Sequence, residues 1–191
     1  MKGFDHHRLV LGYHGCDQKV RDQVLQEGAR LKPSMNEYDW LGKGIYFWEH
    51  GPKRALEWAE QQEKRGRIKN PSVIGAVLHL GNCFDLMDSG FTDLLSKSFP
   101  QFRKALIGAK KSIPKNRQAH PDDCDYLLRE LDCAVINWTF DRMKDQDLHF
   151  NSVRGMFQES AEVYPGSAIR RRSHVQIAIR DSNCIIGYFS P

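Results

Sequence analysis

No run of this sequence approaches the ~18 consecutive apolar residues of a membrane-spanning helix, so no membrane segment is expected. Cysteine is scarce and unpatterned. The five residues (Cys16, Cys83, Cys124, Cys133, Cys184) are odd in number and form no CxxC pair. That spacing points to reduced thiols in a cytosol-like compartment rather than to a disulfide framework. It also removes the strongest zinc signals, so no metal is expected. There is no P-loop, no GxGxxG following a strand and no GxSxG turn, which excludes the usual nucleotide cradles and the hydrolase nucleophile turn. The segment from Met1 to Arg8 has neither a long apolar stretch nor a cleavage signature, so a secretory leader is not expected. A cytoplasmic protein forming one domain over residues 1–191 is the expectation.

What is present supports that class. A chain 40% hydrophobic and 27% charged can build one sizeable core. The net charge of +4 is compatible with an anionic ligand but is no nucleic-acid signature by itself. Its basic residues cluster at Lys64-Arg65, Lys110-Lys111 and Arg170-Arg171-Arg172. The first two clusters read as solvated loop ends; the third directly precedes a strand.

The chain is organised around Trp40-Leu41-Gly42-Lys43-Gly44-Ile45-Tyr46-Phe47. Two glycines permit a tight turn, and the aromatic and β-branched run after them suits a short strand. Gly51-Pro52 then opens a helix, with Ala55, Leu56, Trp58 and Ala59 facing inward. This can be a small-molecule pocket, or a plain strand-turn-helix with Tyr46 and Phe47 in the core. Upstream, residues 9–13 read as a strand ending in His14-Gly15. Asp17 caps a helix over 18–27 with Val20 and Val24 on its buried face, and Gly28 stops it. Residues 29–40 read as a loop.

Downstream, residues 73–80 read as a central strand, Gly81-Asn82 as a turn and 83–87 as a further short strand. A helical pattern over 91–111 is expected to split or kink at Pro100. The next helix is expected over 122–144, with Leu127, Leu131, Ala134, Val135 and Trp138 on one stripe. His120-Pro121-Asp122-Asp123-Cys124-Asp125 reads as its acidic start rather than as a cation site. Residues 153–172 read as mostly loop. In 174–179, His174 and Gln176 alternate with Val175, Ile177 and Ile179, the mark of a strand with one polar face. A last strand covers 184–189. The class is α+β.

Three separated stretches resemble one family. Tyr13-His14-Gly15, Gly42-Lys43-Gly44-Ile45-Tyr46-Phe47 and Ser173-His174-Val175-Gln176 are similar to the three motifs of the ADP-ribosyltransferase superfamily, in its poly(ADP-ribose) polymerase and diphtheria-toxin-like branch. Residues 74–82 are similar to the strand that follows the second motif. Stand-alone bacterial and phage members are similar more loosely, and residues 90–150 have no counterpart. The resemblance implies a split β-sandwich of the ADP-ribosyltransferase type with peripheral helices, and NAD as substrate. It implies that His14 bonds a ribose, that the Gly15 backbone pairs with the carboxamide, and that Tyr46 stacks on nicotinamide with Gly44 keeping the turn close. Trp58 or Trp48 would form a second aromatic wall, and Tyr13 of the first motif would belong to the same NAD-binding set.

One departure matters. The third motif normally supplies a glutamate, and on alternation Gln176 stands in its place. An amide accepts a hydroxyl hydrogen bond but carries no charge and cannot act as a base. Glu159 in the preceding loop is a carboxylate that could reach in, and His174 stands two residues before Gln176 on the same face. The expected activity is mono-ADP-ribosyl transfer to a protein or nucleic acid. The alternatives are a non-catalytic NAD- or ADP-ribose-binding module and an NAD glycohydrolase. The segment 153–172, with Arg154, Phe157, Tyr164 and the three arginines, is the expected acceptor surface, suited to RNA, DNA or an acidic protein surface.

Overall fold

The computed structural model describes residues 5–119 and 125–191. Among them the fold is α+β, with four α-helices, a mixed six-stranded sheet and a small two-stranded hairpin. Strand β1 (Asp5–Asp17) is followed by α1 (Gln18–Gln26), β2 (Ile45–Glu49), α2 (Pro52–Lys64), β3 (Pro71–Asp85) and α3 (Ser89–Gly108). The short strands β4 (Asn116–Arg117) and β5 (Leu128–Arg129) pair as the hairpin. Helix α4 (Glu130–Lys144), β6 (Ser152–Phe157), β7 (His174–Ile179) and β8 (Ile185–Phe189) complete the chain.

The sheet order is β1-β2-β7-β6-β3-β8, and β1 also pairs with β3. The first five strands therefore close into a ring. Only β3–β6 is parallel. Strand β3 makes the closure possible by its length. One edge runs along β1 from Asp5↔Asn82 to Asp17↔Pro71. The other takes β8 at residues 75–78 and β6 at 83–85.

Each face of the sheet carries its own core. One contains Val10, Ile45, Phe47, Ile74, Leu78, Ile177 and Ile179. The other contains Leu41, Phe84, Phe91, Ile136, Phe140, Val153 and Phe157, against α3 and α4.

Several expectations are corrected. Gly81-Asn82 does not end β3. Gly81 takes φ +58° and the strand continues, because Asn151 Oδ1 accepts from Asn82 N and the β6 ladder follows. Pro100 lies inside α3 without ending it, since Phe91 and Phe102 on either side are both buried. Helix α4 starts at Glu130, so Leu127 precedes it, and the buried face is Cys133, Val135, Ile136, Thr139 and Phe140. The 120–125 motif lies outside the described residues except for Asp125. Val20 is 37% exposed, leaving Val24 as the buried residue of α1. Residues 152–157 are a buried strand rather than a loop.

The α1 cap is as expected. Asp17 Oδ1 accepts from Lys19 N, and its Oδ2 accepts from Lys69 N and Asn70 N. The bonds from Lys69, Lys19 and Asn70 hold its carboxyl below the usual carboxylate range. A folded-state pKa below the unfolded value stabilises above the ordinary carboxylate range and is lost as pH falls through the folded value. Asp17→Ala is expected to melt below the wild type at pH 7, with the gap narrowing below pH 4 (about the ordinary carboxylate pKa). Melting curves from pH 7 to 2 check this.

Candidate functional site

The three motif-bearing strands are neighbours in the order β1-β2-β7. Strands β1 and β2 pair at Gly12↔Glu49 and Tyr13↔Trp48, and β2 and β7 at Tyr46↔Ala178 and Trp48↔Gln176. Residues opposite one another share a face. Tyr13, Gly15, Tyr46, Trp48, His174 and Gln176 therefore lie on one side of the sheet. His14 leaves β1 toward the other side, where its ring centroid is 5.8 Å from that of Phe47.

Beyond Tyr13 the two strands part, and His14 fills the break. Its Nδ1 donates to Tyr46 O at 2.8 Å. Leu11 O accepts from His50 N at 3.0 Å, so β1 residues of that parity turn their backbone groups toward β2. Gly15 has the same parity. The carbonyl its N–H would reach in register is that of Tyr46, already taken by His14. The Gly15 N–H and C=O consequently face the opening between the strands. Burial holds the His14 pKa below its usual value against the opposing effect of the Tyr46 carbonyl. The ring is thus neutral at pH 7, and Nε2 keeps its lone pair.

Helix α2 covers this break. A Cβ on Gly15 would lie 2.2 Å from Ala55 O and 3.2 Å from Trp58 Cε3, so Trp58 stands against Gly15. The Trp48 and Trp58 rings are 6.0 Å apart. The Tyr46 hydroxyl is committed to its own turn. It donates to Gly42 O at 2.6 Å and accepts from Leu41 N at 2.9 Å. Burial first, and Asp39 second, push its pKa well above 10. The Tyr46 phenol is therefore no acid or base near neutrality and offers its ring. A Cβ on Gly44 would lie 3.0 Å from Ile179 O, so the turn and β7 are in close contact.

Next to this lies a buried polar cluster. Arg54 Nη2 donates to Glu159 Oε1 at 3.1 Å. Glu159 Oε1 is 3.4 Å from His174 Nε2, without hydrogen-bond geometry. His174 Nδ1 donates to Arg172 O at 2.8 Å. The side chains of His174 and Glu159 are 6% and 9% exposed. Trp40, Trp48 and Phe157 surround the imidazole, and the Arg129 guanidinium lies over Trp40 and Phe157. Trp48 Nε1, Arg54 Nε and Nη1, and His174 Nε2 are buried without a hydrogen-bond partner. Native interiors rarely leave such groups unpaired, and these four lie together beside the same imidazole and indole. Gln176 is buried too.

No protein-family model matches the chain. It is 37% identical over 165 residues to the uncharacterized protein MJ0359 of Methanocaldococcus jannaschii, over 82% of this chain and 68% of the archaeal one. The chain belongs to the MJ0359 family.

In this member of the MJ0359 family, Gly15, Tyr46, Trp58, Gln176, His174 and Glu159 gather on one face, with His14 at the break. Arg154 is not on an acceptor surface, contrary to expectation. It is 7% exposed and bonded to Glu49 and Asp85. Phe157 is likewise buried, whereas Tyr164 is 60% exposed and Arg170 and Arg171 are exposed. Arg54 and Arg129 belong to none of the sequence motifs, and Trp40 enters them only as the first residue of the turn, with no role at the site. Arg54 carried a signal, since it lies one helical turn before Trp58. Four cysteines (Cys16, Cys83, Cys133, Cys184) are free buried thiols pushed up to about 11 by burial, which removes them as nucleophiles at neutral pH. A hollow lined by Gln18, Lys19, Asp22, Gln23, Glu27 and Asn70 shares no residue with the site. No group of three or more metal-ligating side chains occurs among the described residues, and none of their helices is long and apolar enough to cross a membrane.

Proposed function

We propose that the chain is an ADP-ribosyltransferase that cleaves NAD between nicotinamide and ribose and transfers one ADP-ribose to a macromolecular acceptor. The strand ring, parted between β1 and β2, would be the split β-sandwich of that superfamily. The observation that carries the reading is the exchange at Tyr46 O. His14 occupies this carbonyl, and Gly15 is left with an N–H and a C=O side by side at a position where no Cβ fits. A carboxamide is the complement of that pair, offering a C=O and an N–H in one plane. Trp58 and Tyr46 flank the same place, and aromatic faces suit a nicotinamide ring. His14 Nε2 is the acceptor for a ribose hydroxyl, and Gln176 the amide that meets the second ribose.

Leaving-group departure makes an oxocarbenium-like cation, as in glycoside cleavage. Gln176 stabilises that cation with a dipole where a carboxylate would use a full charge, which favours a single transfer over chain growth. The same residue favours the second reading, a module that binds NAD or ADP-ribose without reacting it. Incubation with NAD and a cell extract, followed by mass spectrometry, separates the outcomes. A single ADP-ribose mass shift on an extract component supports transfer. Free ADP-ribose with nicotinamide indicates a glycohydrolase, and bound but intact NAD indicates the binding module. Tyr46→Ala opens the 41–46 turn and is expected to abolish NAD binding in calorimetry. Retained binding places the pocket elsewhere.

A further inference from the structure

The cluster of Arg54, Glu159 and His174 contains a base that the NAD half of the reaction does not require. We propose that His174 Nε2 accepts the proton of the acceptor, and that the acceptor is a neutral protic nucleophile, an O–H or N–H, rather than a carboxylate. This rests on the transferase reading above.

The geometry is specific. His174 and Gln176 project from the same face of β7 two residues apart, roughly 7 Å along the strand. The group gripping the ribose and the group meeting the acceptor therefore stand side by side on one strand face. Arg172 O fixes the Nδ1–H tautomer, which leaves the lone pair on Nε2. That nitrogen is buried and unpartnered. A structural histidine would ordinarily bond through both nitrogens.

The charged groups facing the ring come from three elements: Glu159 after β6, Arg54 on α2 and Arg129 on β5. Burial is the main cause of its lowered pKa, the two arginines act the same way, and the Arg172 carbonyl and Glu159 oppose them. The imidazole is therefore neutral and ready to take a proton at pH 7. Glu159 Oε1, held by Arg54, is 3.4 Å away to stabilise the imidazolium once it forms. The two guanidiniums repel an ammonium or guanidinium acceptor, and a carboxylate brings no proton for Nε2 to take, which leaves neutral O–H and N–H nucleophiles.

In the step itself, the acceptor heteroatom bonds to C1′ of the nicotinamide ribose. The C1′–N1 bond breaks, and its electron pair leaves with neutral nicotinamide. The acceptor proton passes to Nε2 and then to solvent.

Water and methanol serve as probe acceptors. The full chain is incubated with NAD in aqueous methanol from pH 4.5 to 9, and nicotinamide release and methyl ADP-ribose are measured. The wild-type rate is expected to rise through a midpoint below 6.5, about the ordinary histidine value, and then to level. His174→Ala and His174→Gln should each lower kcat roughly 100-fold, change KM little and lose the acid limb. Added imidazole should restore part of the Ala variant's rate. Glu159→Gln should move the midpoint to lower pH, because the carboxylate that holds the proton is gone. Either His174 variant turning over with the wild-type pH profile overturns the assignment and leaves the transferase reading standing. A wild type that binds NAD in calorimetry but releases no nicotinamide at any pH overturns both.

Discussion

Gly15→Ala is expected to lower the melting temperature by about 2–12 °C and to abolish NAD binding. The first part follows from packing alone. The new Cβ would lie 2.2 Å from Ala55 O and 3.1 Å from Ala55 C. These are backbone atoms of α2, where Ala55 N already donates to Gly51 O at 3.0 Å, so no rotamer change relieves the clash. Ala55 and Ala59 are fully buried against the sheet, and α2 must lift as a body. Overpacking of this kind costs about 1–3 kcal/mol, and each kcal/mol is worth roughly 2–4 °C in a domain of this size. The second part follows from the proposed carboxamide contact. Lifting α2 carries Trp58 away from Gly15 and pushes β1 against the opening where the Gly15 N–H and C=O would meet the carboxamide. Gly187→Ala is the control, because an added Cβ there meets nothing within 4 Å. It should change neither quantity. Differential scanning calorimetry and titration with NAD measure both. A Gly15→Ala protein that melts and binds like the wild type would show that α2 does not press on β1 at this point.

The elements legible in the sequence are those specified locally. The Asp17 cap, the glycine stop at Gly28 with φ +71°, Pro52 at the head of α2 and the alternation of β7 all lie within a few residues of their cause. The corrected elements depend on distant partners. Strand β3 passes through Gly81 because Asn151 and β6 meet it there. Residues 152–157 show no alternation, because both faces of β6 are covered from Ser152 to Gly155, a buried arginine interrupts the apolar run and the apolar Met156 is exposed. The expected α4 stripe begins at Leu127, but the chain before Glu130 forms a hairpin with β4 and the helix buries Cys133, Ile136 and Phe140 instead.

The candidate site divides in the same way. His14, Gly15, Tyr46, His174 and Gln176 occur in short motifs. Trp40 and Arg129 lie far apart in the chain and meet only because the β4–β5 hairpin folds back over the first loop. There Trp40 Nε1 donates to Leu127 O at 2.9 Å. No sequence period encodes that encounter.

Arg154→Met is expected to cost about 3–5 kcal/mol of stability, the usual result of leaving a buried charge without its partner. Arg154 on β6 joins two strands of the ring. Its Nε and Nη2 donate to the two oxygens of Glu49 at the end of β2, at 2.5 and 3.1 Å, and its Nη1 donates to Asp85 Oδ2 on β3 at 3.0 Å. The three side chains are 8%, 12% and 14% exposed, so water screens them poorly. Methionine preserves the stem but leaves two carboxylates facing one another in the interior. Urea denaturation should show the midpoint falling with the slope unchanged. The triple change Arg154→Met, Glu49→Gln and Asp85→Asn removes the charges together and should recover much of the loss. If Arg154→Met unfolds at the wild-type midpoint, the backbone ladders alone hold this part of the ring. The ion triad also bears on the site from the opposite face. Arg154 points away from it, but its neighbour Gly155 pairs with Gln176, and four residues later the chain supplies Glu159. Loosening β6 would shift the amide proposed to grip the ribose together with the carboxylate proposed to steady His174. The variant should therefore lose nicotinamide release at temperatures well below its unfolding transition.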